Sequence, residues 1–344
     1  MRIDDRSDEV AASLAGFYGS WATYIGLELG LFERLREAGD DGLAVEDLAQ
    51  GAKCVAEPVS AWMRAAHAAD LIELHGDRCR LDPDLATVLL DDTAPQFLGG
   101  HVASAVVSTL DYERLIDFFR TGQTLAERPP RFHRAIERVT AQDITVFFQE
   151  GLAALPELTR ELTRGARILD VACGGGRWLT AVARRFPETR LVGVEFEPDS
   201  VARAMRHVGE LGLGDRVEIE ARDIADLAFS GEFDLVYVQD ALHELPDPVV
   251  GLDRAWASVA PGGRLVVLEW CLPEDPDEDR SLEGQLLWGI QIDELFQGTS
   301  MYTLDGLEQL YARAGVPAPG VVELPSGATL LVTRRAAAEP TGSP

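Results

Sequence analysis

The sequence predicts an α/β fold, in which a doubly wound parallel sheet follows a mostly α-helical N-terminal domain. From residue 166 onward, buried strand patterns alternate with amphipathic helical patterns, whereas the preceding residues are mostly helical in pattern. Three consecutive glycines, Gly174–Gly176, follow the first buried strand. Alternation of this kind is typical of parallel strands joined by crossover helices. Such sheets bind ligands at the carboxyl ends of their strands.

Composition and charge exclude several classes of partner. The 344 residues suffice for two domains, and the net charge is −27 with Lys53 as the only lysine. Strong acidity repels phosphate groups, so neither nucleic acid nor an anionic membrane surface is an expected partner. No apolar run has the length of a membrane span, and the charged start MRIDDRSDEVAAS lacks the apolar core of a signal peptide. We therefore expect a cytoplasmic protein.

The cysteines give no support for a metal or redox site. They lie far apart, and none forms a C-x-x-C pair. Reduced and mostly buried thiols are the expectation for Cys54, Cys79, Cys173 and Cys271.

Residues 1–96 predict a helical domain that contains a winged helix. After a first helix that ends at Gly39, the pattern predicts a short helix, a turn, a second helix and two short strands. This order often indicates DNA binding, but the second helix offers only Arg64 as a cation. Because a recognition helix needs several cations and amides, protein contact is the better interpretation. The predicted bounds are Val45–Gln50 and about Glu57–Asp70 for the helices, and about Leu71–Leu74 and Arg78–Leu81 for the strands.

Residues 97–162 predict linker helices between the two halves of the chain. Two amphipathic stretches, 101–122 and 143–162, are separated by the break RPPRF. The last domain is expected over residues 163–336, and the composition of residues 337–344 is typical of a disordered tail. Within the last domain the pattern predicts strands over 166–173, 190–196, 216–223, 233–242 and 263–272, and helices over 178–187, 198–212 and 249–263.

The stretch LDVACGGGRW, Leu169 to Trp178, predicts a cofactor loop. Asp170 ends the first strand, and glycines without a Cβ allow a ligand to approach the backbone before the next helix. A nicotinamide site requires G-x-G-x-x-G, and Leu179 occupies the position of the third glycine. Glu195 closes the second strand, where an acidic residue suits ribose recognition by either kind of cofactor.

The motif LDVACGGG closely resembles the first motif of class I S-adenosylmethionine-dependent methyltransferases. Four further segments, LVGVEFEP, ARDIADLAF, FDLVYVQDALHELPDP and SVAPGGRLVVLEW, resemble later landmarks of that family in the same order. The resemblance implies a Rossmann-like fold and S-adenosylmethionine as cofactor, with S-adenosylhomocysteine as product. The family often has glycine at the position of Ala172. The implied cofactor-binding residues are Asp170, Ala172, Gly174, Gly176, Glu195, Phe196, Asp223, Ile224, Gln239 and Asp240.

The layout of the whole chain resembles plant-type small-molecule O-methyltransferases and their bacterial relatives. These combine an N-terminal winged-helix dimerisation domain, linker helices and a methyltransferase domain. The resemblance implies a small-molecule acceptor and a homodimer formed through the N-terminal domain.

His243 is the candidate catalytic residue. It follows the fourth strand at the place where plant-type O-methyltransferases carry their base histidine, commonly followed by Asp, although here Glu244 and Leu245 follow. A histidine suits a hydroxyl acceptor because its ordinary pKa lies near neutrality. Asp240 and Glu244 are alternative orienters of its imidazole, and a histidine that only structures the loop remains an alternative.

The same place offers three groups that can in principle bind a metal, one imidazole and two carboxylates. Asp293 and Glu294 can add carboxylates to His243, but no histidine follows His243 in the sequence, so we predict no metal.

An apolar or aromatic acceptor is predicted from the segment that follows the last strand. Helical core packing is the alternative for each of its apolar residues. The candidates are Trp288, Ile292, Phe296, Met301 and Tyr302, with His101 and Phe148 from the linker helices.

Other functions remain open at this point. Transfer to carbon or nitrogen demands less of His243. A protein that binds the cofactor without methylation, either a ligand-sensing regulator or a catalyst of cyclisation or rearrangement, is a second class. A nicotinamide enzyme is the last alternative.

Overall fold

The computed structural model describes residues 3–125 and 128–337, and these residues form two compact units. The first unit contains residues 3–119 and 128–145, and the second contains residues 120–125 and 146–337. The helices of residues 97–162 are therefore shared between the two units. The functional boundaries expected at residues 96 and 162 stay predictions. The tail expected over residues 337–344 lies, apart from Ala337, outside the described residues.

The first unit combines helices with a small antiparallel sheet. Its strands have the order β1-β3-β2. The helix pair α3 and α4 and the hairpin β2–β3 lie where the sequence predicted helix, turn, helix and two strands. The elements are α1 (Ile3–Glu28), α2 (Leu31–Ala38), β1 (Leu43–Ala44), α3 (Val45–Ala52), α4 (Ala56–Ala68), β2 (Glu73–His75), β3 (Arg78–Arg80), α5 (Pro83–Leu90), α6 (Gly99–Thr109), α7 (Leu115–Thr121) and α8 (Pro130–Val146).

The single first helix predicted by the sequence is wrong in one respect. The chain breaks at Gly30, whose φ of 66° lies in the left-handed region, and α2 then continues to Gly39. This break turns α2 so that Phe32 and Leu35 are fully buried in the core of the unit.

The second unit contains a seven-stranded sheet in the order β6-β5-β4-β7-β8-β10-β9. The first five strands in this order are parallel, and β10 pairs antiparallel with both β8 and β9. The predicted doubly wound α/β sheet is confirmed. The elements are α9 (Leu152–Ala154), α10 (Pro156–Arg164), β4 (Arg167–Val171), α11 (Arg177–Arg185), β5 (Arg190–Glu195), α12 (Pro198–Glu210), β6 (Val217–Ala221), β7 (Phe233–Gln239), α13 (Pro248–Ser258), β8 (Val259–Glu269), α14 (Leu282–Gln297), α15 (Leu304–Arg313), β9 (Gly320–Glu323) and β10 (Thr329–Arg334).

Both faces of the central strands are buried, as a parallel sheet covered by helices requires. One face packs aliphatic side chains such as Val171, Val238 and Val267 into one hydrophobic core. The opposite face is aromatic: the Trp178 ring stacks on the Tyr237 ring with centroids 4.1 Å apart and an angle of 18°. This stack packs α11 against β7, and β7 pairs directly with β4.

Neither a membrane span nor a disulfide is present among the described residues. None of their helices is both long and apolar enough to cross a bilayer. The cytoplasmic location stays a prediction. The four cysteines are free thiols, as expected, and Cys79 and Cys173 are buried.

Candidate active site at the carboxyl edge of the parallel strands

The glycine loop after β4 takes left-handed backbone conformations at three positions. Ala172, Gly174 and Gly176 have φ angles of 56°, 51° and 71°. A Cβ on Gly174 would meet no atom within 4 Å, so the space beside this residue is open. The open, glycine-lined backbone ahead of α11 is a suitable cradle for a ligand.

Glu195 ties this loop to the end of β5. Its Oε2 accepts a hydrogen bond from the Gly174 N–H at 3.0 Å. Its Oε1 accepts from the N–H groups of Phe196 and Glu197, each at 2.9 Å. The carboxylate is therefore held in one orientation at the rim of the cradle.

Asp170 lies beside Glu195 at the end of β4 and is 3% exposed. Burial and the neighbouring Glu195 charge raise the pKa of Asp170 well above its ordinary value. Two crowded carboxylates are stabilised by hydrogen-bond donors from a ligand, and the hydroxyls of a ribose are such donors.

Gly193 is a residue that the sequence analysis missed. It stands opposite Asp170 in the register of β4 and β5. A Cβ at this position would lie 2.4 Å from Leu179 Cδ1 and 2.8 Å from Cys173 Sγ, so glycine is needed for the loop to pack on the strand. The only sequence signal was a glycine inside an apolar strand, which indicates close approach of neighbouring atoms.

The remaining predicted cofactor residues lie at the same edge. Asp223 follows β6, and its Oδ1 accepts a hydrogen bond from the Ala225 N–H at 2.9 Å, which caps the turn Ile224–Asp226. Ile224 itself is buried in the core. Phe196 is 62% exposed, and Gln239 Oε1 accepts a hydrogen bond from the Tyr237 hydroxyl at 3.2 Å.

A second tight loop carries His243. Asp240 follows β7 directly with a φ of 45°, and its N–H donates to the Leu268 carbonyl at 2.7 Å. The chain then forms the turn Leu242–Glu244. The His243 side chain is 6% exposed.

The partner of the imidazole is Glu269, at the end of β8. Its Oε2 lies 3.1 Å from His243 Nδ1, and its Oε1 accepts from the N–H groups of Ala241 at 3.2 Å and Leu242 at 2.9 Å. Asp240, one of the two carboxylates predicted from the sequence to orient the ring, is farther away, with its Oδ1 4.0 Å from Nδ1. The signal that could have found Glu269 is a carboxylate directly after the apolar run of the neighbouring strand, in VVLEW.

The other ring nitrogen, Nε2, faces carboxylates as well. Glu294 Oε2 on α14 lies 4.0 Å from it, and this oxygen also accepts a hydrogen bond from the Thr299 hydroxyl at 2.5 Å. Glu244, on the same turn, is exposed to water.

Burial and charge oppose each other at these groups. Burial disfavours the charged imidazole, but the carboxylates of Glu269, Asp240 and Glu244 outweigh it and raise the pKa of His243 to about 11. Partial loss of solvent and the charges of Glu294, Glu269 and Glu195 raise the pKa of Glu244 to about 7, although His243 lowers it. The carboxylates around the ring therefore favour the protonated form of His243.

These side chains also form two sets that can hold a metal ion. Asp240, His243 and Glu269 each offer one ligand atom within 4.8 Å of the others, and so do His243, Glu244 and Glu294. The absence of a metal stays a prediction of the sequence.

The candidate acceptor residues of the segment after β8 fall into two groups, and the linker helices supply a third. Trp288 and Ile292 lie on α14 and are 39% and 40% exposed, so they are available to a ligand. Phe296 and Met301 are buried, and Tyr302 packs against the core, which favours a packing role for them.

The two linker-helix candidates lie in different units. Phe148, in the second unit, packs edge-on against Phe147 with ring centroids 5.4 Å apart. His101 belongs to α6 of the first unit, where burial lowers its pKa.

Comparison with known proteins identifies the domain that carries this edge. Residues 168–263 match the family model described as a methyltransferase domain. Trans-aconitate 2-methyltransferase of Streptomyces avermitilis is 31% identical over 118 residues, which are 34% of this chain and 43% of that protein. The chain thus spans less than half the length of such relatives.

Solved structures resemble nearly the whole chain. An O-methyltransferase family protein from Burkholderia thailandensis is 19% identical with a TM-score of 0.70, covering 97% of this chain and 99% of that one. Human N-acetylserotonin methyltransferase in complex with S-adenosylmethionine is 18% identical with a TM-score of 0.74, covering 98% and 99%. At this identity the likeness shows the fold.

The matched residues extend from β4 to β8, so they include the glycine loop, Glu195, Asp223 and His243. The predicted cofactor of this domain, S-adenosylmethionine, is confirmed. The chain therefore carries the domain and the fold of a class I S-adenosylmethionine-dependent methyltransferase.

Proposed function

We propose that the chain transfers a methyl group from S-adenosylmethionine to a hydroxyl oxygen of a small apolar or aromatic molecule, with His243 as general base. The observation that carries this proposal is the His243–Glu269 pair, which lies at the same sheet edge as the glycine loop and Glu195. The relatives named above, which act on trans-aconitate and N-acetylserotonin by their names, support a small-molecule acceptor.

The residues at this edge fit the cofactor. The open space beside Gly174 leaves room for it, and Asp170 and Glu195 present acceptors for its hydroxyl and amino groups. When bound, S-adenosylmethionine supplies a methyl group already activated on a sulfonium. We assign its contacts to the residues predicted from the sequence, with Asp223 and Ile224 beside the adenine.

His243 would remove the hydroxyl proton of the acceptor. Glu269 orients the ring through Nδ1, which leaves Nε2 for the hydroxyl. As the oxygen bonds to the methyl carbon, the carbon–sulfur bond breaks with its electron pair on sulfur, and the proton moves to Nε2. Positive charge brought into the site by the bound cofactor lowers the pKa of His243 from its value in the unliganded protein.

Calorimetric titration with S-adenosylhomocysteine tests the cofactor site. We expect micromolar binding by the wild type, loss of binding in Asp170→Ala and Glu195→Ala, and no change in Glu308→Ala, which alters an exposed carboxylate on α15. No binding by the wild type would overturn the proposal.

Replacement of His243 tests the base. We expect His243→Ala to lower turnover by about 10²–10⁴-fold while the affinity for S-adenosylhomocysteine is kept. General base catalysis contributes orders of magnitude to turnover. A decrease in turnover of less than about threefold would therefore show that His243 is not the general base.

A second candidate is methyl transfer to carbon or nitrogen, with His243 remaining a cation. The raised pKa of His243 favours it. The pH profile separates the two reactions. With His243 as base, kcat/KM rises with pH toward the pKa of His243, whereas with His243 as a permanent cation it does not follow that pKa.

We also propose a homodimer that forms through the N-terminal domain and uses its winged helix for protein contact. Helix α1 carries four exposed apolar side chains, Val10, Leu14, Phe17 and Tyr18, with 71%, 56%, 47% and 64% of their surface accessible. Exposed apolar surface of this kind marks interaction sites. Light scattering should give a dimer for the wild type and a monomer for Leu14→Glu combined with Phe17→Glu.

A further inference from the structure

Trp178 carries a buried hydrogen-bond donor that no described protein atom satisfies. The residue is 4% exposed, and its indole Nε1 is enclosed without a hydrogen-bond partner among the residues that the structure describes. Buried polar atoms of folded proteins are nearly always paired, because an unpaired buried N–H group is costly. A partner supplied by a ligand would therefore stabilise this residue.

Ring packing alone does not account for a tryptophan at this position. The Trp178 ring stacks on Tyr237 and packs edge-on against Phe147, with ring centroids 4.1 Å and 5.2 Å apart. A phenylalanine would supply an aromatic ring for both contacts and would bring no donor into the core. The N–H group is therefore the property that distinguishes tryptophan here.

Two observations place Trp178 beside the glycine loop. It lies in the first turn of α11, two residues after Gly176. Its stacking partner Tyr237 is the register partner of Asp170 in the pairing of β4 with β7, so these two side chains lie on the same face of the sheet. The indole thus shares a face of the sheet with Asp170, near the carboxyl end of β4.

The two sides of the loop suit different groups of a ligand. Asp170 and Glu195 are carboxylates, which accept hydrogen bonds from hydroxyl and ammonium groups but repel an anion. The start of α11 instead favours negative charge, because the first N–H groups of a helix have no partner within it. Gly176 at the N-cap has no side chain to satisfy them. An anionic group therefore belongs at the start of α11, where Trp178 offers a further donor.

We propose that the indole N–H of Trp178 donates a hydrogen bond to the carboxylate in the methionine part of S-adenosylmethionine. This carboxylate is the only anionic group of the cofactor. It is attached to the same carbon atom as the ammonium group, for which Asp170 offers an acceptor. The inference rests on the proposed function, because it assigns one more contact of the cofactor at the same site.

The experiment removes the donor and the carboxylate in turn. Trp178→Phe keeps an aromatic ring for the stack and deletes the N–H, and S-adenosyl-3-thiopropylamine is S-adenosylhomocysteine without its carboxylate. By calorimetry we expect Trp178→Phe to bind S-adenosylhomocysteine about tenfold more weakly than the wild type, as for one hydrogen bond to a charged group. Its affinity for the thiopropylamine should stay within about twofold of the wild type, which also shows that the variant is folded. Trp256→Phe, in α13, is the matched control and should change neither affinity.

Nitrogen-15 NMR of tryptophan-labelled protein gives a second readout. The chain has six tryptophans, and the indole signal that is absent from Trp178→Phe belongs to Trp178. We expect this signal to move downfield when S-adenosylhomocysteine binds, because a hydrogen bond to a carboxylate deshields the N–H proton. The thiopropylamine should move it much less.

Three results would overturn the inference. Unchanged affinity of Trp178→Phe for S-adenosylhomocysteine would assign the N–H to a weak contact with the Phe147 ring instead. Equal losses of affinity for the two ligands would make Trp178 a packing residue. An indole signal that responds equally to both ligands would exclude the carboxylate as its partner. Failure of the wild type to bind S-adenosylhomocysteine would contradict the proposed function rather than the role of Trp178.

Discussion

Glu195 and Glu269 occupy equivalent positions in two halves of the sheet, but their partners differ. Each ends a parallel strand and is buried; from the loop after the adjacent strand, Glu195 accepts one backbone N–H group and Glu269 accepts two. Glu269 also binds the His243 imidazole, whereas Glu195 lies beside Asp170 and raises its pKa. The charge of Glu269 is thus balanced within the protein by His243. The charge of Glu195 remains next to that of Asp170 until a ligand supplies hydrogen-bond donors.

The adjacent loops repeat the likeness. In each, the first residue after the strand is left-handed, although neither is glycine: Ala172 after β4 and Asp240 after β7. This conformation costs about 1–2 kcal/mol for a residue with a Cβ. The strand-end glutamate then stabilises the turned loop by accepting its N–H groups. The same local architecture therefore occurs at the glycine loop and at the loop of His243.

The largest expected effect is that of Glu269→Gln. It would leave the His243 imidazole buried beside a neutral amide, and breaking a buried ion pair costs about 3–5 kcal/mol. We expect the free energy of unfolding, measured with urea at pH 7, to fall by about 3 kcal/mol on that basis. Turnover should fall by about 10²-fold or more, because His243 loses its orienting partner.

Glu308→Gln provides the control for charge removal at the surface. If Glu269→Gln destabilised the protein no more than this exposed variant, the ion pair with His243 would not be a stabilising feature.

Glu195→Gln should have the opposite profile. Loss of a hydrogen-bonded charge is offset by relief of the repulsion with Asp170, so we expect a stability loss of only about 1 kcal/mol. The affinity for S-adenosylhomocysteine should fall by about 10–100-fold, the equivalent of about 1.4–3 kcal/mol for hydrogen bonds to a charged group. The comparison would fail if Glu195→Gln lost stability and kept affinity.

The pH dependence of stability tests the ion pair of Glu269 with His243, which has no counterpart at Glu195. The pKa of His243 is raised from 6.5 to about 11 in the folded protein, so the stability from its charge is complete below pH 6.5. It decreases as the pH rises and is lost above about pH 11, with a slope of up to about 1.4 kcal/mol per pH unit.

The measurement is urea unfolding of the wild type and of His243→Asn at pH 6, 7, 8 and 9. The wild-type advantage should shrink steadily across this series. An advantage independent of pH would show that His243 is not held as a cation.

The parallel part of the sheet and the glycine loop could be predicted from the sequence, because the patterns that indicate them lie within short segments of the chain. Apolar runs alternate with helical patterns, and the glycines follow Asp170 directly. Glu269 was missed because its relation to His243 depends on the pairing of β7 with β8, which brings together residues 26 positions apart. Strands β9 and β10 were missed for a related reason, since their antiparallel pairing to β8 follows from tertiary packing.

The smallest expected effect is that of Ala172→Gly in the loop of Glu195. Glycine removes the cost of the left-handed φ of 56° but adds conformational entropy to the unfolded chain. These terms nearly cancel, so we expect a gain in unfolding free energy of about 0.5 kcal/mol or less. Ala202→Gly is the matched control, because Ala202 is an exposed residue within α12. There the same substitution should cost about 1 kcal/mol. If both variants were equally destabilised, the loop after β4 would not be left-handed at Ala172, and its likeness to the loop after β7 would be lost.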